Sequence, residues 1–240
     1  RVESTELGYK GSHLDNTLQI NASMYHYLYE NIHGQFQSQS FLGGTSTSVI
    51  PYPEAQTDGF ELEVIYMPRP NWLIGGNYSY TDARYSKEMV DAFGNIGNID
   101  VDNPEAPGSL YTIKEREVPI MNRKLERIPD NKMSFYSNYT QEVSGGTIDY
   151  LVGFSWTDEI LWNDSGLAMD ISPAFTRLDL KATWKNSEGD MDIMFFINNV
   201  TDKIGVRNMS SDDETQGFLR SLTPTLPRMG GISFTKRFGG

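Results

Sequence analysis

Hydrophobic and polar residues alternate with period two along most of the 240-residue chain, and apolar spacing at 3.6 is nearly absent. Between positions 18 and 29, Leu18, Ile20, Ala22, Met24 and Leu28 hold one parity, and Gln19, Asn21, Ser23, Tyr25, Tyr27 and Tyr29 hold the other. Successive side chains of a strand point to opposite faces, so this segment predicts a strand with an oily face and a polar-aromatic one. Ile148, Tyr150, Val152, Phe154 and Trp156 repeat the pattern, as do Leu178, Leu180, Ala182 and Trp184. Met191, Ile193, Phe195 and Ile197 follow it too, although Met194 and Phe196 blur that strand. The pattern predicts about nine strands, at 3–11, 17–31, 58–67, 72–85, 131–142, 147–158, 174–185, 191–201 and 226–238. Several reach the length at which a tilted strand crosses a bilayer, about 9–11 residues.

The links between these strands alternate in length. Short, turn-rich links fall at Ser12–Asn16, Pro68–Asn71, Val143–Gly146 and Asn186–Asp190, where Gly, Pro, Asn and Asp supply the backbone angles of tight turns. Broad links fall at 32–57, 86–130, 159–173 and 202–225. An up-and-down sheet with this order gathers its tight turns on one rim and its broad links on the other, as outer-membrane barrels do. Trp72 and Trp184 fall near the tight-turn rim, and Tyr85, Trp156 and Trp162 near the other, as expected of interfacial aromatic girdles. The expected fold class is therefore all-β: an antiparallel up-and-down transmembrane β-barrel. It is expected to be partial, because an odd number of strands does not close antiparallel.

Composition narrows the reading further. Thirty-two acids against 20 bases give a net charge of −12, which argues against nucleic acid as a partner. The absence of cysteine removes disulfides, thiolate metal sites and Cys nucleophiles. The longest apolar run, Ile193–Ile197, is far short of the roughly 18–20 residues of a membrane helix. The opening Arg-Val-Glu-Ser-Thr-Glu-Leu has no apolar h-region and begins within a strand, so a piece of a longer protein is expected.

Catalytic chemistry finds little support. His13, His26 and His33 fall in a turn, in a strand and at the start of a link, and no zinc-protease, nucleophile-elbow or phosphate-cradling motif occurs. The chain is read as a non-enzyme without a cofactor or metal site. Asp100–Asn103 lacks the Gly and closing Glu of a calcium loop, and Ser211-Asp212-Asp213-Glu214 reads as a solvated acidic loop. In the 86–130 link, Arg116, Arg123, Lys124 and Arg127 stand among Glu115, Glu117 and Glu126. Facing a lumen, these cations are candidates to bind an anionic ferric chelate through charge-assisted hydrogen bonds. The plainer reading is pairing with neighbouring carboxylates or with lipopolysaccharide phosphates.

Several segments, in order, resemble TonB-dependent outer-membrane receptors. They are Glu6-Leu7-Gly8-Tyr9-Lys10-Gly11 with the Leu18–Tyr29 strand, and Thr57–Glu63 followed by Pro68 and Trp72–Ala83. Asn198-Asn199-Val200-Thr201-Asp202-Lys203 resembles the family's penultimate-strand ending, and Pro227-Arg228 through Phe238 its closing strand. The resemblance implies the C-terminal nine strands of a plugged barrel of about 22 strands, with the N-terminal plug absent. It gives Asn199, Asp202, Lys203, Pro227, Arg228 and Phe238 structural roles in that motif. It implies import, driven by TonB through the missing plug, of a scarce small-molecule nutrient: ferric siderophore, cobalamin or glycan. It places the protein in the outer membrane of a Gram-negative bacterium, against lipid and lipopolysaccharide. One departure is that Gly239-Gly240 follow Phe238, whereas the family's barrels commonly end at the aromatic. The alternatives are a soluble or surface β-sandwich binding glycans and a passive porin. A sandwich would bury the oily parity between two sheets; a barrel would leave it bare.

Overall fold

The computed structural model describes residues 1–39, 45–87, 122–162, 168–211 and 220–238. Its strands are β1 (Val2–His13), β2 (Leu18–Gln39), β3 (Thr45–Arg69), β4 (Trp72–Tyr85), β5 (Asn131–Val143), β6 (Gly146–Thr157), β7 (Ile160–Leu161), β8 (Ile171–Ser172), β9 (Phe175–Asn186), β10 (Met191–Asn198), β11 (Val206–Ser211), β12 (Arg220–Pro224) and β13 (Met229–Lys236). Nine of them form one antiparallel sheet in the order β1-β2-β3-β4-β5-β6-β9-β10-β13, while β7-β8 and β11-β12 are small hairpins within two of the broad links. Chain order and sheet order agree throughout, so every tight turn lies on one rim and every broad link on the other. No second sheet covers the first among the described residues, which removes the sandwich.

Cross-strand partners share a face, so the register carries each face across the sheet. One row runs Leu7–Met24–Phe60–Tyr80 across β1 to β4. Another runs Tyr139–Tyr150–Ala182–Phe195–Ile232 across β5, β6, β9, β10 and β13. On the opposite face, Lys10–Asn21–Glu63–Asn77–Ser134–Ser155–Arg177 crosses seven strands as an unbroken polar row. The apolar rows stay bare: Leu7 is 73% exposed, Phe195 52% and Ile232 69%. Among the described residues the buried apolar side chains are Ala55, Ala83, Tyr85, Pro129, Trp162 and Met209. A sheet that leaves its oily face uncovered is built for an apolar solvent, in which every backbone group must be paired within the sheet. This is the architecture of a transmembrane β-barrel wall.

The 32–57 segment departs from the expected broad loop. β2 and β3 pair without a break in register to Gln39 opposite Thr45, so most of the segment is a hairpin rising beyond the apolar band. Its sequence mixes polar residues with scattered apolar ones at both parities, so no alternation marked it as strand. The turns match their composition. At Leu14-Asp15-Asn16 three successive residues take positive φ, and Thr17 closes the turn by donating its N–H and its hydroxyl to the Leu14 carbonyl. In the two-residue link between β5 and β6, Gly145 adopts φ +86°, which glycine reaches without steric cost.

The aromatic girdle is real at one rim and thinner than expected at the other. Trp72, Tyr139, Tyr150 and Trp184 all lie on the apolar face near the tight turns. Trp72 meets Tyr139 edge-on at 6.2 Å, and Tyr139 stacks on Tyr150 at 6.5 Å. Trp156 shares that face at the opposite rim, directly across from Met133. Tyr85 and Trp162 do not belong to a girdle. Tyr85 has the polar-face parity and is buried against Ala55. Trp162 is buried in its link, donating its indole N–H to Ser172 Oγ at 2.9 Å.

Candidate functional site

The polar face of β1–β3 carries a tyrosine ladder. Tyr25, Tyr27 and Tyr29 alternate along β2, so all three rings rise from that face. Tyr25 lies across Gly59 on β3: a Cβ at Gly59 would sit 2.1 Å from the ring. The missing side chain creates the slot, and through it Tyr25 Oη reaches Thr81 Oγ1 on β4 at 3.1 Å. Tyr27 stacks on Tyr25 at 5.0 Å, and Tyr29 meets Tyr27 edge-on at 6.2 Å.

Above this ladder the end of the 86–130 link folds inward. Leu125 and Ile32 pack against the buried pair Ala55 and Tyr85. The segment is tied to β4 by backbone bonds from Asn122 N–H to the Tyr85 carbonyl, from Tyr85 N–H to the Arg123 carbonyl and from Leu125 N–H to the Ala83 carbonyl. The result is an open-sided groove of about 480 Å³, walled by the three tyrosines, Glu6 and Glu61, with Leu125 and Ile128 above. A second groove of about 670 Å³ continues toward the tight-turn rim past Lys10, Asn21, Glu63 and Lys132, and shares Glu6, Ser23 and Glu61 with the first.

The predicted cation cluster lies beside the groove, and none of its described members lines it. Lys124 pairs with Asp130 at 2.6 Å, and its backbone bridges Arg84 on β4. Arg127 is exposed, with φ +64°. Arg123 contributes its carbonyl to the tie with Tyr85. Arg116 lies outside the described residues, as do Asp100–Asn103, Asp212–Glu214 and Gly239-Gly240.

At the far end of the sheet, the family-motif residues form a polar clasp at the base of the β10–β13 link. Asn199, 1% exposed, donates its side-chain amide to the carbonyls of Lys203 at 2.7 Å and Leu226 at 3.2 Å. Its backbone N–H donates to Asp179 Oδ1 on β9 at 2.7 Å. Asp202 accepts the Arg228 backbone N–H at 2.8 Å, and the Arg228 guanidinium donates to the Val200 carbonyl. Pro227 precedes that arginine in the link, and Phe238 stands 87% exposed beyond β13.

His26 sits on the apolar face, as its parity predicts, and bonds Asp58 at 2.8 Å. With Thr5 and Asp82 in the same cross-strand row, this pair closes the apolar band on β1–β4 toward the broad links. Further out, the Glu54 carboxylate binds Lys87 and Ser86, and holds the Lys87 ammonium above its ordinary pKa. No cluster of metal-ligating side chains occurs among the described residues.

The sequence model described as "TonB dependent receptor-like, beta-barrel" matches residues 1–200. The chain belongs to this TonB-dependent receptor family. Solved structures share the fold at low identity. The siderophore receptor PiuA from Acinetobacter baumannii superposes with a TM-score of 0.69 at 17% identity, covering 98% of this chain and 28% of PiuA. The ferric yersiniabactin uptake receptor FyuA from Yersinia pestis gives 0.70 at 13% identity, covering 99% of this chain and 30% of FyuA. The copper transporter OprC gives 0.62 at 16% identity, covering 99% of this chain and 31% of OprC. The chain thus spans under a third of the receptors it resembles. No curated protein matches its sequence. The tyrosine ladder was the part of this receptor wall that sequence reasoning missed as a site. Its signal was present, in three tyrosines of one parity, but the glycine that seats the first of them is on another strand.

Proposed function

We propose that this chain is the C-terminal share of an outer-membrane receptor barrel that imports a scarce small-molecule nutrient with energy delivered by TonB. In this reading, the remaining strands and the plug come from sequence N-terminal to the chain, and TonB acts through that plug. The observation that carries the proposal is the two-faced sheet: a bare apolar face suited to acyl chains backs a polar face with a tyrosine-lined groove. Family membership and the siderophore receptor and copper transporter of the same fold support transport over catalysis. Chelated metal is the first nutrient class to test, because PiuA and FyuA are receptors for siderophores or their ferric complexes.

Deletion of the gene in its host tests the proposal. The expected result is loss of uptake of one chelated nutrient, reproduced by deleting TonB and restored by the intact gene. Uptake that persists without TonB would turn the reading toward a passive pore. Protein that fractionates away from the outer membrane would overturn it.

A further inference from the structure

The chemistry of the tyrosine groove narrows what it binds. Every charged group lining it is a carboxylate, and no lysine or arginine contributes to its wall among the described residues. Glu6 and Glu61 make no ion pair with any described residue, whereas the carboxylates of Glu54, Asp82, Asp130 and Asp149 each hold a cation. Tyrosine faces carry the negative side of the ring quadrupole and attract ammonium groups. Carboxylates and ring faces ask for the same complement: a positively charged N–H donor. An anionic chelate would meet the negative charge of Glu6 and Glu61, which no described cation lining this groove offsets.

We infer that the groove bounded by Tyr25, Tyr27, Tyr29, Glu6 and Glu61 is a binding subsite for a protonated amine or ammonium group on the transported molecule. This inference rests on the uptake reading and assigns its ligand a charge. It opposes the expectation that cations of the 86–130 link select an anionic ferric chelate, because the described members of that cluster stand off the groove wall.

Saturation-transfer NMR on the intact protein in detergent, with spermidine and citrate as probes, decides it. Spermidine is expected to receive saturation and citrate to receive none. The paired substitutions Glu6→Gln and Glu61→Gln are expected to weaken spermidine binding roughly tenfold. Tyr27→Ala should weaken it by a smaller factor. Heat-modifiable migration on gels checks that each variant still folds as a barrel. Citrate binding as strong as spermidine, no spermidine binding, or spermidine binding unchanged in the double carboxamide variant would each overturn the inference. The uptake phenotype of the gene deletion is measured separately, so loss of the groove reading leaves the transport reading standing.

Discussion

The two faces of this sheet are made by the same strands and the same backbone, yet they follow opposite rules. On the apolar face, residues as large as Phe195 and Ile232 stand bare, and aromatic rings collect at the tight-turn rim. On the polar face, charged residues stand beside glycines, and rings are seated by specific partners, as Tyr25 is by Gly59 and Thr81. The apolar face specifies only oiliness; the polar face specifies shape. It follows that a charge should be ruinous on one face and tolerated on the other, while a single methyl should disturb ligand binding only on the second.

The largest effect is expected from that first contrast. Val152 lies midway along β6 on the apolar face, opposite Ser137 and Leu180. Val152→Arg should cost about 2–4 kcal/mol of folding stability in lipid vesicles, read from denaturant midpoints. Thr183→Arg places the same side chain on the polar face opposite Asp149, and should cost under about 1 kcal/mol. Equal losses at the two positions would mean that both faces meet the same solvent, and the membrane assignment would fail.

The strands were legible because this contrast is written into every one of them. A sheet with lipid on one side and water on the other must alternate, and Leu18–Leu28 and Ile148–Trp156 do so cleanly. Where the chain rises out of the bilayer the constraint lapses, which is why the long hairpin of β2 and β3 read as a loop. Tyr85 and Trp162 were misplaced for a related reason. Proximity to a rim in sequence does not tell which way a ring faces, and burial by a returning link depends on contacts far along the chain. The groove was illegible because it needs Gly59, Tyr25 and Leu125 together, and only the register aligns them.

A second prediction concerns the polar clasp. Asn199→Ala removes a buried amide that donates to the carbonyls of Lys203 and Leu226 and ties the link together. The expected loss is about 1–3 kcal/mol, seen as a lower unfolding temperature and faster proteolysis within 199–228. Asn199→Gly keeps the φ of +53° accessible while deleting the amide, so it separates backbone strain from the lost bonds. If the glycine variant is as stable as the native protein, the amide is dispensable.

The methyl test is smaller. Gly59→Ala puts a Cβ where the Tyr25 ring now lies, so the ring must swing away from Thr81. Stability should fall by about 1 kcal/mol, near the lower end of overpacking costs. Spermidine binding should weaken as Tyr27 loses its stacking partner. Gly76→Ala, on the apolar face of the neighbouring strand, is the matched control for stability. Its Cβ would lie 2.9 Å from the Ser134 carbonyl oxygen, so a stability loss without a binding loss is expected there.

The smallest effect lies at the tight-turn rim, where the faces meet water. Asp190 accepts from the Asn186 side chain at 2.7 Å and pairs with Lys236, which ties the β9–β10 turn to β13. The Lys236 ammonium, with help from the Asn186 amide, holds the Asp190 carboxyl below the ordinary aspartate range. A folded-state pKa that is depressed contributes stability above the unfolded value and loses it as pH falls through the folded one. The Asp190–Lys236 tie should therefore be intact near neutrality and weaken only in acid, below the ordinary aspartate range. Hydrogen exchange of the Arg237 amide, which donates to the Asp190 carbonyl at 2.7 Å, is the local readout. Asp190→Asn should show the faster exchange already at neutral pH and little further change in acid. Because the pair is water-exposed, the gain should shrink with salt, unlike the losses at Val152 and Asn199. A salt-insensitive Asp190 effect would mean that the rim is shielded from solvent, and the boundary between the two faces would have to be drawn beyond the turns.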